Sequence, residues 1–156
     1  DLLEKPSITK AIKIAKELEV ENVGLAYQTY DKLLDTGDYR ASYAAFHAAL
    51  GFPKTYPYSY YAGKLLFKYA ELVTPFNRAR ALPAAIGRIG EIKDYPVLAV
   101  ELWLQYAQYA DATASYYSRA YALSEARKCI AESEKSDPLA AAELWLEYAT
   151  KFLQGG

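Results

Sequence analysis

Methionine is absent, cysteine and histidine occur once each, and 156 residues hold only two asparagines. Each scarcity excludes something. The single cysteine, Cys129, rules out an internal disulfide and a thiolate metal cage. With His47 as the only histidine, no Glu-x-x-His partner completes a carboxylate-bridged metal pair, although Glu143 and Glu147 stand at i and i+4. No metal and no cofactor is expected. No apolar run reaches the roughly 18 residues of a membrane span, and no basic start followed by an apolar block marks a signal peptide. A soluble chain without a membrane partner is the expectation. Eighteen basic against nineteen acidic residues give a formal net charge of −1. That lacks the basic excess of a protein built to neutralise a phosphate backbone, so nucleic acid is not the favoured partner. There is no glycine-rich phosphate loop, nucleophile elbow or paired-cysteine motif, and the chain is not read as an enzyme.

What is present is apolar and periodic. Hydrophobic residues make up 53% and charged residues 24%, a globular balance. The stretch around Glu101-Leu102-Trp103-Leu104-Gln105-Tyr106-Ala107 is written a second time, 42 residues on, as Glu143-Leu144-Trp145-Leu146-Glu147-Tyr148-Ala149. Pro96 and Pro138 precede the two copies at the same shift. A fixed shift of this size points to stacked supersecondary units. Scarce Met, Cys and Asn beside abundant Ala, Leu, Glu, Lys and Tyr suits a hot environment or a designed chain.

Apolar spacing predicts eight helices and no strand, because nothing alternates with period two. Ser7 is read as the cap of a first helix to about Glu19, and a second spans Val23 to Leu34. Gly37 and Asp38 are a stop and a start signal for the alanine-rich third helix, about 39–50, which is expected in the middle of a packed layer. A fourth helix covers about 60–73. A fifth opens at Thr74-Pro75 and either kinks or restarts at Pro83. The written repeats are helices six and eight, and helix seven runs from about Ser115 to Glu134. Three helices share one stripe at i, i+3, i+4 and i+7: Leu66, Tyr69, Ala70, Val73; Trp103, Tyr106, Ala107, Ala110; and Trp145, Tyr148, Ala149, Phe152. Alternate helices carry a 4-then-3 spacing: Ser42, Phe46, Ala49; Leu82, Ile86, Ile89; and Ala126, Ile130, Ser133.

These paired stripes resemble the tetratricopeptide repeat family, and Trp-x-x-Tyr-Ala in helices six and eight is similar to its half-a-tetratricopeptide (HAT) relatives. The pattern departs at Ala110 and Phe152, where the HAT helix carries glutamate. The resemblance implies an all-α, right-handed superhelix of antiparallel helix pairs, about 7–36, 38–73, 75–112 and 114–154, in one domain spanning 1–156. It further implies a non-enzymatic scaffold that binds a protein or peptide partner along the first helices of the pairs, with a HAT-like link to RNA-processing assemblies. Lys64, Lys68, Gln105, Gln108, Tyr109, Thr150 and Lys151 are the candidate binding residues. Arg78, Arg80, Arg88 and Lys93 form a candidate basic patch.

Two other readings compete. A self-assembling coat of a filament or virion fits the tyrosine-rich composition and a last helix that keeps its apolar stripe and could pair with another subunit, where a capping helix would be polar outside. An RNA-acting bundle rests on Arg40 and His47, whose spacing resembles the Arg-x4–6-His motif of the HEPN ribonucleases. Of the sixteen tyrosines, Tyr69, Tyr106 and Tyr148 are expected at helix contacts, and Tyr56, Tyr58, Tyr61 and Tyr109 are the candidates for an exposed role.

Overall fold

The computed structural model describes residues 4–73, 75–110 and 118–153. Among them are eight helices and no strand: α1 (Glu4–Glu21), α2 (Val23–Leu34), α3 (Tyr39–Gly51), α4 (Tyr58–Leu72), α5 (Pro75–Gly90), α6 (Pro96–Tyr109), α7 (Arg119–Ser133) and α8 (Pro138–Phe152). The chain is all-α, as expected. No helix among the described residues is long and apolar enough to cross a membrane.

Local chemistry sets most boundaries. Asn22, Asp38, Ser118 and Asp137 each accept a hydrogen bond from a backbone N–H in the first turn of the helix that follows. Gly37 stands at φ +72°, the left-handed conformation that glycine takes without a Cβ penalty, and turns the chain from α2 into α3. Pro75, Pro96 and Pro138 each open a helix, where a missing N–H costs nothing. Three boundaries depart from expectation. α1 starts before Ser7, with Pro6 in its first turn; α7 starts at Arg119; and α5 runs through Pro83 as one helix. Residues 111–117, part of the expected seventh helix, lie outside the described ones.

The helices group into two compact units, residues 1–91 and 92–156. In the first, α1 packs on α2, α3 on α4, and α5 most extensively on α4. In the second, α7 packs along α6, and α8 rests on both. The expected pair 75–112 spans that boundary, with α5 in the first unit and α6 in the second.

The core of the first unit is built from small and large residues in alternation. Ala62, Gly63 and Ala70 of α4 are buried, as are Ala81 and Ala85 of α5, while Leu65, Leu66 and Phe67 fill the space around them. The inner face of α5 is therefore Ala81, Ala85 and Ile89, not the expected Leu82, Ile86 and Ile89. The reason is close packing: two alanines let the α5 backbone approach α4, which leucine and isoleucine would hold away. In the second unit, Val100, Leu102, Trp103, Leu104, Tyr106 and Ala107 of α6 are all buried, with Ala126, Ile130 and Ser133 of α7. Tyr69, Tyr106 and Tyr148 are buried as the stripes predict.

Candidate functional site

The expected binding residues fall in both units, two in the first and five in the second, and their surroundings differ. Lys68 is tied across to α2, with its Nζ 2.8 Å from Asp35 Oδ1 and 3.0 Å from Asp31 Oδ1, and it also donates to the Asp31 carbonyl. Partial burial pulls its pKa down, but the hydrogen bonds to Asp35 and Asp31 outweigh that, and the net shift is upward. Lys68 is a tether between helices. Lys64 lies half-buried with its Nζ 5.8 Å from the centre of the Tyr60 ring. In the second unit, Gln105 buries its Oε1 without a hydrogen-bond partner among the described residues, whereas Gln108 and Thr150 are exposed. Lys151 is exposed and pairs with Glu147 at 2.9 Å. The Tyr109 side chain lies outside what is described.

The basic patch dissolves in the same way. Arg88 is only 4% exposed. Its guanidinium donates to the carbonyls of Ala49, Leu50, Phe52 and Pro53 and to Glu91 Oε1, over 2.7 to 3.3 Å. These carbonyls are the unpaired acceptors at the end of α3, where the helix dipole favours a cation. Ser59 Oγ donates to the same Glu91 oxygen at 2.6 Å, which fixes the start of α4 to the assembly. Arg78 Nε similarly donates to the Ala70 carbonyl near the end of α4, and Arg119 Nε to Ala107 and Ala110 at the end of α6. Arg80 is exposed but lies over the Phe46 ring at 5.6 Å. Lys93 is exposed in the other unit. Three of the six arginines, Arg78, Arg88 and Arg119, thus finish helices.

A different surface emerges on α3. One side of that helix buries Ala41, Ala45, Phe46, Ala48 and Ala49. The other presents Tyr39, Tyr43 and His47 at i, i+4 and i+8, with Tyr39 77% and Tyr43 47% exposed. α3 packs on α1, α2 and α4, and the side bearing the three rings is left open. The three rings form a ladder: Tyr39 and Tyr43 stack with centroids 6.1 Å apart, and Tyr43 and His47 stand at 4.2 Å. Tyr39 and Tyr43 were not among the expected exposed tyrosines. Of those, Tyr56 is exposed, while Tyr58 and Tyr61 are half-buried and Tyr61 stacks on Tyr27 at 4.8 Å. The signal for the ladder was present as aromatic rings at every fourth position of an alanine helix.

The ladder borders an open cleft of about 590 Å³ between α1 and α3. Ile12, Ala44 and Ala48 make its apolar walls, and Lys16 and Arg40 bring positive charge to it. Glu19 also lines it, but its carboxylate accepts the Tyr30 hydroxyl at 2.5 Å. Burial and that neighbouring carboxylate both push the Tyr30 hydroxyl pKa well above the ordinary tyrosine range, so the hydroxyl remains a donor. Arg40 donates to Thr9 Oγ1 at 3.1 Å and stands 3.7 Å from Asp38, which links α3 to α1 at the cleft. Such a cleft offers ring faces, apolar contact and cations, the chemistry of a site for an apolar side chain beside a carboxylate.

No group of His, Cys, Asp and Glu among the described residues is placed to hold a metal ion. Cys129 on α7 is half-buried; burial, and after it Glu125 and Glu132, push its thiol pKa up, the opposite of what a reactive thiolate needs. No family model, no curated protein and no solved structure matches the chain.

Proposed function

We propose that the chain is a non-enzymatic helical scaffold of the tetratricopeptide-like kind, and that it binds a protein partner through a short acidic and apolar segment seated in the α1–α3 cleft. The observation that carries this reading is the ladder Tyr39, Tyr43 and His47, exposed along a cleft that the cations Lys16 and Arg40 also line. Rigid aromatic side chains supply contact area at little entropic cost, and arginine and aromatics dominate the energetics of recognition sites. The site sits on a rigid helix whose opposite face is locked into the core. The test is selection from a displayed peptide library against the whole chain. Enriched sequences should carry Asp or Glu near Leu, Ile or Phe, and Tyr43→Ala and Arg40→Glu should each weaken them at least tenfold with unchanged circular dichroism. Peptides indifferent to both substitutions would sink the reading.

A second reading has one supporting observation: Arg40 and His47 line the same cleft. An RNA-acting bundle would place its basic residues there. Cleavage of RNA by the parent chain, lost in His47→Ala, would promote it; inactive parent protein removes it.

A further inference from the structure

The outer face of α8 is written for burial and left in solvent. Leu139, Leu146 and Leu153 are 72%, 69% and 55% exposed, and Ala142 and Ala149 between them are exposed as well. The five residues are spaced 3, 4, 3 and 4 along the chain, the a and d positions of a heptad seam. The opposite face, Ala141, Leu144 and Tyr148, is buried within the unit. At the 42-residue shift, the outer positions of α8 match Val97, Val100, Leu104 and Ala107 of α6, of which the last three are fully or almost fully buried. The same residue pattern is core in one helix and surface in the other.

We propose that this seam pairs with the same seam of a second copy, antiparallel, to make a two-fold dimer. The order of large and small residues sets the polarity of the pair. In an antiparallel pair, each a position lies against a d position of the other helix, so Leu146 and Leu153 each meet an alanine, and Leu139 lies beyond the last such layer. A parallel pair would instead stack leucine on leucine and leave a gap at each alanine layer. Antiparallel pairing centred between Glu147 and Tyr148 places Leu146 against Ala149, and Leu153 against Ala142, of the second copy.

The flanking charges select that register. It brings Glu143 beside Thr150 of the second copy and Trp145 beside Phe152. A register one heptad earlier would bring Glu143 against its own two-fold mate, and like charges there oppose association. Glu147 and Lys151 lie off the seam and neutralise one another within the helix at 2.9 Å. A two-fold interface uses one patch twice and closes on itself, so the assembly stops at two. The four layer residues and the flanking Glu143, Trp145, Thr150 and Phe152 of each copy supply roughly 1,000 Å² in total, the low end for a specific interface, so the dimer is weak and concentration-dependent. The inference is independent of the cleft on α3.

Sedimentation equilibrium on the whole chain over a hundredfold concentration range tests it. The mass should rise from one chain to two and stop. Leu146→Glu should hold it at one chain with unchanged thermal unfolding, since that side chain faces solvent in the single copy. Polarity is read separately: in a Cys129→Ser background, a mixture of Ala142→Cys and Leu153→Cys chains should form the mixed disulfide in preference to either like pair. Constant single-chain mass overturns the proposal and leaves the seam to a helix of another polypeptide. Growth past two, association that survives Leu146→Glu, or preferential 142-to-142 linkage also overturns it. Should Leu146→Glu unfold, the cross-linking result decides alone.

Discussion

Helices α6 and α8 share Glu-Leu-Trp-Leu, then Tyr-Ala two positions on, and both open on a proline, yet they live in different surroundings. α6 is buried on nearly every face, with α7 packed along it, whereas α8 buries one face and shows leucine on the other. The tryptophans record the difference. Trp103 is buried and meets Tyr121 of α7 edge-on at 5.8 Å. Trp145 is half-buried, and its indole N–H donates to Glu134 at the end of α7 at 2.8 Å. Both still set their ring edge-on to the tyrosine three residues later, at 6.4 and 6.1 Å. What repeats on the inner side is the tyrosine, buried in both helices; Ala107 is buried but its counterpart Ala149 is exposed, contrary to the expected stripe. What differs is whether anything covers the outer side, and a helix cannot encode that by itself.

The comparison breaks most sharply at the leucine after each tryptophan. Leu104→Glu places a carboxylate in the core of α6 and should unfold the second unit, a loss above about 4 kcal/mol. Leu146→Glu should change the unfolding of the single chain by no more than about 0.5 kcal/mol. Urea titration of the pair measures both, and equal effects would mean that α6 and α8 are not differently covered. Next come the tryptophans: Trp103→Ala should cost on the order of 3–5 kcal/mol, and Trp145→Ala roughly 2 kcal/mol, because less of its ring leaves water on folding. A Trp103→Ala chain that melts with the parent would refute the repeat register. A smaller effect belongs to the helix ends. Arg119 takes the carbonyls of Ala107 and Ala110, while in α8 the Ala149 carbonyl is met by the Leu153 backbone N–H. Arg119→Ala should cost about 1.5 kcal/mol and speed amide exchange in the last turn of α6, leaving α8 unaffected. Last is Lys151→Ala, which removes an exposed i, i+4 pair and should shift stability by less than about 0.5 kcal/mol.

The first unit teaches a related lesson about charge. Read along the chain, Arg78, Arg80 and Arg88 look like one patch. In space, Arg88 closes the end of α3 and Arg78 the end of α4, because unpaired carbonyls at a helix end compete for guanidinium as well as any ligand does. Lys68, expected in a groove, is held by Asp31 and Asp35. Lys68→Glu would therefore set three carboxylates together and loosen α2 from α4, so it reports on stability and not on binding.

Helix identity and most helix ends were legible because caps, prolines and Gly37 act locally. The stripes of α4, α6 and α7 were legible because burial selects the same residue types at the same spacing. The face of α5 was not: Leu82 and Ile86 look like better core residues than Ala81 and Ala85, and only the closeness of α4 makes the small pair the inner one. The α3 ladder was written at every fourth residue, but alanines on several faces disguised which side would be open.

The sequence by itself determined an all-helical chain, most of its turns, the buried stripe of α6 and the burial of Tyr69, Tyr106 and Tyr148. These follow from period, capping and volume, which act within one helix or between neighbours. Tertiary structure alone decided that Arg88 is a buried clamp, that Lys68 is a tether, and that the outer face of α8 is bare where that of α6 is covered. Those outcomes depend on which distant backbone carbonyl, carboxylate or helix arrives beside a side chain, and that is a property of packing that no local pattern contains.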